Sequence, residues 1–140
     1  MADSIQVDIV SAEGEIFSGP ASMVYLPASE GEIGVTPRHA PLLTLLKPGE
    51  VRVQAADGTE QSFYVGGGAL EVQPHKVTVL ADTAARASDL DEAAAVAARA
   101  RAEEALSGKI DRVEQAALQA ELLRITAQLA LIQRLRKIKS

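Results

Sequence analysis

Apolar and polar residues alternate at Ile5-Gln6-Val7-Asp8-Ile9-Val10, at Val51-Arg52-Val53 and at Val77-Thr78-Val79. A period of two marks strands that bury one face. Turn formers separate such stretches every eight to ten residues: Glu13-Gly14, Gly19-Pro20, Lys47-Pro48-Gly49, Asp57-Gly58, Gly66-Gly67-Gly68 and Pro74-His75. Short strands with regular turns and no intervening helix predict an antiparallel sandwich or barrel rather than βαβ units. Asp57-Gly58, between Val51–Ala55 and Gln61–Val65, is the clearest hairpin signal.

Near residue 86 the period lengthens. Ser88 with Asp91 three residues later fits a capping box, which starts a helix that runs to about Leu106 and stops at Ser107-Gly108. A second helix runs from about Asp111 to near the carboxyl terminus, and the short joint predicts an antiparallel hairpin. On the second helix Leu118, Leu122, Ile125, Leu129 and Ile132 fall on one stripe, with Ala116, Ala120, Ala127 and Leu131 nearly opposite. Small side chains let helices approach closely, so the alanine stripe is expected to face the first helix, itself rich in Ala93, Ala94, Ala97 and Ala98. The leucine stripe then needs another surface, either this chain's own β domain or a partner, because monomers rarely leave such a stripe bare. A hairpin joined through one short segment is expected to be weakly held and able to change position.

Composition sharpens the boundary. All six prolines, all four aromatics and nine of the ten glycines precede residue 87. The fold class is therefore a two-part α+β chain, with an antiparallel β-sandwich over residues 1–86 and a two-helix hairpin over 87–140. The chain has no cysteine, which removes disulfides and thiolate metal sites. No secretion signal and no apolar run of membrane-spanning length is present, so the reading is a soluble, cytoplasmic protein. Net charge is -5, against a general nucleic-acid binder. The charge is uneven: residues 1–86 hold eleven acids and five bases, whereas from Glu121 onward one acid faces Arg124, Arg134, Arg136, Lys137 and Lys139.

Catalytic chemistry is scarce. His39, in Pro37-Arg38-His39-Ala40-Pro41, and His75, in a tight turn, are the only histidines and lie several strands apart. No metal-ligand spacing accompanies them. Gly66-Gly67-Gly68 lacks the spacing of a dinucleotide loop and the Lys-Ser/Thr of a P-loop, so a bulge or close backbone approach is expected there. The acids form no paired site. No catalytic residue, metal or cofactor is expected.

The segment Ser29-Glu30-Gly31-Glu32-Ile33-Gly34-Val35-Thr36-Pro37-Arg38-His39-Ala40-Pro41-Leu42-Leu43 resembles the signature of the epsilon subunit of bacterial F-type ATP synthase. So do Val10-Ser11-Ala12-Glu13 with Phe17-Ser18-Gly19, and Gly67–Pro74 followed by Val77–Asp82. The resemblance covers nearly the whole chain in order. It implies a noncatalytic central-stalk subunit, bound to the gamma subunit and seated on the c-subunit ring, that couples proton-driven rotation to ATP synthesis. It implies attachment to the cytoplasmic face of the bacterial inner membrane through the complex alone. By the resemblance, Glu32, Arg38 and His39 are candidates for the c-ring contact. The hairpin of such subunits folds down or extends into the catalytic head and suppresses hydrolysis. Arg124, Arg134, Arg136 and Lys137 are then candidates to meet the alpha and beta subunits, and the leucine stripe is a candidate docking face. Some members bind ATP through Leu/Ile-Asp-x-x-Arg-Ala. Here Leu90-Asp91-Glu92-Ala93 is followed by Ala94 in the arginine's place, leaving Asp91 and Arg101 as an incomplete set with weak or absent nucleotide binding expected. The competing reading is a free-standing β-sandwich adaptor whose helices dimerise or bind another protein.

Overall fold

The computed structural model of the chain describes residues 3–139, whose contacts separate into two units between Ala87 and Ser88. The first unit is a β-sandwich of eight strands: β1 (Ile5–Ser11), β2 (Gly14–Ala21), β3 (Met23–Ala28), β4 (Gly31–Val35), β5 (Leu42–Gln54), β6 (Glu60–Gln73), β7 (Lys76–Ala81) and β8 (Ala84–Arg86). Their order is β2-β1-β7-β6-β5-β3-β4, with β8 also on β6. Pairing among the described strands is antiparallel except between β1 and β7, which run parallel with Val7 opposite Val77.

The alternation of the sequence becomes two faces. Ile5, Val7 and Ile9 of β1, Val24 and Leu26 of β3, Val51 and Val53 of β5, Phe63, Leu70 and Val72 of β6, and Val77 and Val79 of β7 point into one core. Each such side chain contributes about 1.5–3 kcal/mol by leaving water.

Three expected turns are not turns: Gly19-Pro20 lies within β2, opposite Val7 and Gln6. Strand β5 continues through Lys47-Pro48-Gly49, and β6 continues through Gly66-Gly67-Gly68. Pro48 lies opposite Gly66, and Gly67 and Gly68 take φ of +100° and +140°. Together these residues bend the ribbon without ending it, so the first half of β6 pairs with β8 and the second half with β7. A Cβ on Gly68 would sit 2.1 Å from the Leu80 carbonyl oxygen, so the close backbone approach expected at the triple glycine is present and only glycine fits.

Strand β8 pairs with β6 over Phe63–Val65. Arg86 donates to the Ile16 carbonyl at 3.3 Å and its guanidinium lies 5.7 Å from the Phe63 ring centre. Phe63 in turn meets Phe17 with ring centres 5.3 Å apart.

A 3-10 turn (Ala87–Asp89) spans the division, and the second unit continues with α1 (Glu92–Ser107) and α2 (Arg112–Lys139). The capping box expected at Ser88 is absent. Asp91 caps α1 instead, accepting from the Ala94 N–H at 3.1 Å, and Asp111 caps α2 by accepting from the Glu114 N–H at 2.8 Å.

The facing of the helices also departs from expectation. Ile125 and Leu129 of the leucine stripe pack on Ala95 and Ala98 of α1; of the opposite stripe Ala116 and Ala120 are exposed, Ala127 is half-buried and Leu131 is buried, and Ala93, Ala94 and Ala97 of α1 are exposed. The inner face of α1 offers only small side chains at Ala95, Ala98 and Ala102. Large residues from α2 fill that space and bury more apolar area than alanine on alanine could. Leu118, Leu122 and Ile132 extend the same stripe, each half-buried.

Candidate interaction surfaces

Glu32, Arg38 and His39 attach to one strand at different ends. Glu32 is the second residue of β4, beyond Gly31 at φ +137°. Its carboxylate accepts from Arg52 of β5 at 3.0 Å. Arg38 and His39 follow the other end of β4 in a turn held by the Arg38 N–H to the Pro74 carbonyl at 2.7 Å and the His39 N–H to the Thr36 carbonyl at 3.2 Å. Arg38 occupies φ +66°, uncommon for a side-chain-bearing residue, and its guanidinium pairs with Asp3. The Nδ1 of His39 lies 2.7 Å from the Ala40 carbonyl. The structure therefore does not gather the three side chains into one cluster.

A surface that the sequence reading passed over lies on the outer face of the sandwich. Val10, Leu80, Ala69 and Leu45 are successive cross-strand partners over β1, β7, β6 and β5. Leu45 is 66% exposed and Leu80 56%, and Leu43, two residues along β5, is 76% exposed. The signal was available in Leu42-Leu43-Thr44-Leu45-Leu46, which is too apolar for a strand with one wet face.

The same face turns polar toward its other end. Asp8 accepts from the Gln6 amide at 3.0 Å and the Ser18 hydroxyl at 2.8 Å, and pairs with Lys76 at 3.1 Å. Those hydrogen bonds, with Lys76 assisting, hold the Asp8 carboxyl below its ordinary value against a smaller opposing effect of burial. An apolar row beside a satisfied polar network is the layout of a binding face with an edge.

On the hairpin, Arg136 is exposed and pairs with Glu92 of α1. Arg124 and Arg134 are half-buried and Lys137 is exposed. The Asp91 carboxylate is committed to the α1 backbone, and Arg101, ten positions on, is exposed. Among the described residues no group of three or more His, Asp or Glu is placed to hold a metal ion, and no helix is long and apolar enough to cross a membrane.

Comparison with known proteins agrees over both units. Residues 4–87 match the family described as ATP synthase, delta/epsilon chain, beta-sandwich domain. The ATP synthase epsilon chain of Nitrosococcus oceani is 61% identical over 137 residues, covering 98% of each chain. That of Alkalilimnicola ehrlichii is 62% identical over 134 residues, covering 96% of each. Among solved structures, a chain of the Euglena gracilis mitochondrial ATP synthase OSCP/F1/c-ring assembly superposes with a TM-score of 0.80 at 21% identity, covering 91% of this chain and 80% of that one. A chain of the Tetrahymena thermophila mitochondrial ATP synthase central stalk and c-ring gives 0.60 at 13% identity, covering 93% and 97%. At those identities the structural matches speak to the fold. The sequence matches speak to the family: the chain belongs to the ATP synthase epsilon chains.

Proposed function

We propose that this chain is a noncatalytic part of the central rotor, which couples proton-driven rotation to ATP synthesis and restrains ATP hydrolysis through its helical hairpin. The observation that carries the rotor reading is the apolar row Val10, Leu80, Ala69 and Leu45 with its neighbour Leu43. Exposed leucines on a finished sandwich are costly unless covered, and the gamma subunit is their partner in this reading. Glu32, on the edge strand, makes the c-ring contact, with Arg38 and His39 as a second point beyond the far end of the same strand.

The hairpin is the brake. Its basic residues Arg124, Arg134, Arg136 and Lys137 dock against acidic segments of the alpha and beta subunits, where charge complementarity sets register. Asp91 is already used as a helix cap, and Ala94 stands where a phosphate-pairing arginine would be needed. The hairpin therefore works without tightly bound ATP. Attachment to the cytoplasmic face of the membrane is through the complex.

The test compares hydrolysis by the matching catalytic head with gamma, supplied with the full chain or with a version ending at Arg86. The sandwich core is built wholly from residues before Arg86, so the shortened chain retains it. Both versions should bind and only the full chain should slow turnover. Binding without inhibition by either removes the brake, and failure of both to bind removes the rotor assignment.

A further inference from the structure

Arg52 of β5, Tyr25 of β3 and Glu32 of β4 form a chain of contacts over three neighbouring strands. Arg52 is the cross-strand partner of Tyr25, and Tyr25 of Gly34. The guanidinium carbon lies 4.3 Å from the Tyr25 ring centre, and Nη2 donates to Glu32 Oε1 at 3.0 Å. A Cβ on Gly34 would stand 3.5 Å from Tyr25 Cε1 and 3.2 Å from Met23 Cε. The bare glycine thus gives the ring a place to lie, an aromatic covering an edge glycine.

The Arg52 side chain is 24% exposed and that of Glu32 57%. A pair so open to water adds little to stability. Its effect is geometric. Strand β4 is an edge strand, paired only with β3, and two of its five residues are glycine. Such a strand holds its side chains loosely, and a glutamate on it samples many rotamers. Arg52 reaches past β3, rests its guanidinium over the Tyr25 ring, and fixes one oxygen of the carboxylate. The remaining acceptor capacity stays exposed and open to an incoming donor. Lysine could not do this, since it lacks the flat fork that stacks and donates at once.

We propose that Arg52 is the positioning residue of the ring contact, holding Glu32 ready to accept a hydrogen bond from a cationic or amide N–H group of the partner. Pre-setting the rotamer removes an ordering cost from association. The inference rests on the reading of Glu32 as a ring contact.

The experiment titrates full-length variants into membranes whose synthase has been depleted of this subunit, reading the concentration that half-restores ATP-driven ion pumping, with melting temperature measured alongside. Glu32→Gln and Arg52→Gln should each raise that concentration roughly fivefold or more, with melting temperatures close to that of the unaltered chain. Arg52→Lys should recover only part of the loss. In the Glu32→Gln background, Arg52→Gln should add nothing further, because it acts through the carboxylate. An undiminished effect of Arg52→Gln in that background overturns the proposal, as does a null effect of Arg52→Gln where Glu32→Gln weakens assembly. A null effect of Glu32→Gln alone overturns the ring-contact reading itself, and the proposal with it.

Discussion

Glu92 in the first turn of α1 and Arg136 in the last turn of α2 form an ion pair across the end of the hairpin remote from its connecting loop. Each charge also sits at the favourable end of its own helix dipole. Arg136 is one of the residues proposed to dock on the catalytic head, so docking exchanges one carboxylate partner for another. Glu92→Gln frees the guanidinium. The concentration giving half-inhibition of hydrolysis should fall about two- to fivefold, the worth of an exposed pair, and the difference should shrink as salt is raised. Unchanged or weaker inhibition would exclude Arg136 from the docking surface.

The facing of the two helices can be read from stability. Ile125 and Leu129 are buried on alanines of α1 while Leu123 is exposed. Truncating either buried residue to alanine should cost the hairpin about 2–3 kcal/mol, against less than about 0.5 kcal/mol for Leu123→Ala. Amide hydrogen exchange of α1 reports the difference. Equal protection in all three variants would reverse the assignment of stripes.

At the strand bend, Gly68→Ala forces a Cβ against the Leu80 carbonyl oxygen and the Ala81 Cα. The backbone must move, and a loss of about 3–5 kcal/mol or outright failure to fold is expected. Gly58→Ala, at φ +89° with nothing within 4 Å, should cost only about 1 kcal/mol of backbone strain. Urea unfolding of the pair separates collision from conformational preference.

These sites also mark how far the sequence could be read. The division near residue 86, the β-sandwich and the hairpin follow from residue periods and from where glycine and proline stop. Inward positions such as Val7, Val53 and Val79 follow from alternation. The continuity of β5 and β6 does not, because Pro48 and Gly67 carry the same turn signal whether a strand ends or bends; the outcome depends on the strand opposite. Helix facing does not follow either, because two stripes compete on α2 and the alanine-lined inner face of α1 decides between them. Glu32, Arg38 and His39 share one motif, and a motif does not say that β4 separates them. Arg52 read as one polar position in an alternating strand, and its role emerges only from neighbours on two other strands.

Asp8 gives a pH signature. Its folded carboxyl titrates below the ordinary aspartate value of 3.8, so the folded state favours the charged form. The stabilisation is complete above 3.8 and is lost as pH falls from there through the lower folded value. Asp8→Asn should remove this part of the acid-side slope and leave the profile above it parallel to that of the unaltered chain. Denaturant midpoints measured over that range decide it; an unaltered acid slope would mean the network does not hold the proton off.

The outer leucines should separate folding from assembly. Leu45→Gln and Leu80→Gln change exposed side chains, so stability should shift by no more than about 0.5 kcal/mol. Association with gamma should weaken about tenfold or more, as expected for central apolar contacts. Loss of melting temperature in step with loss of binding would show that the row serves the sandwich itself.

The parallel pairing of Val7 with Val77 bears on the order of events during synthesis. An amino-terminal strand that waits seventy positions for its neighbour cannot be completed when it leaves the ribosome. Until β7 emerges, β1 has only β2 on one side, and its other edge stands open with Val7 and Ile9 uncovered. At translation rates of about 5–20 residues per second that exposure lasts for seconds. Nascent chains arrested before Lys76 should be sticky and protease-sensitive, and those arrested with β7 fully clear of the tunnel should not, so the ribosome spends most of the sandwich's synthesis holding an unfinished edge.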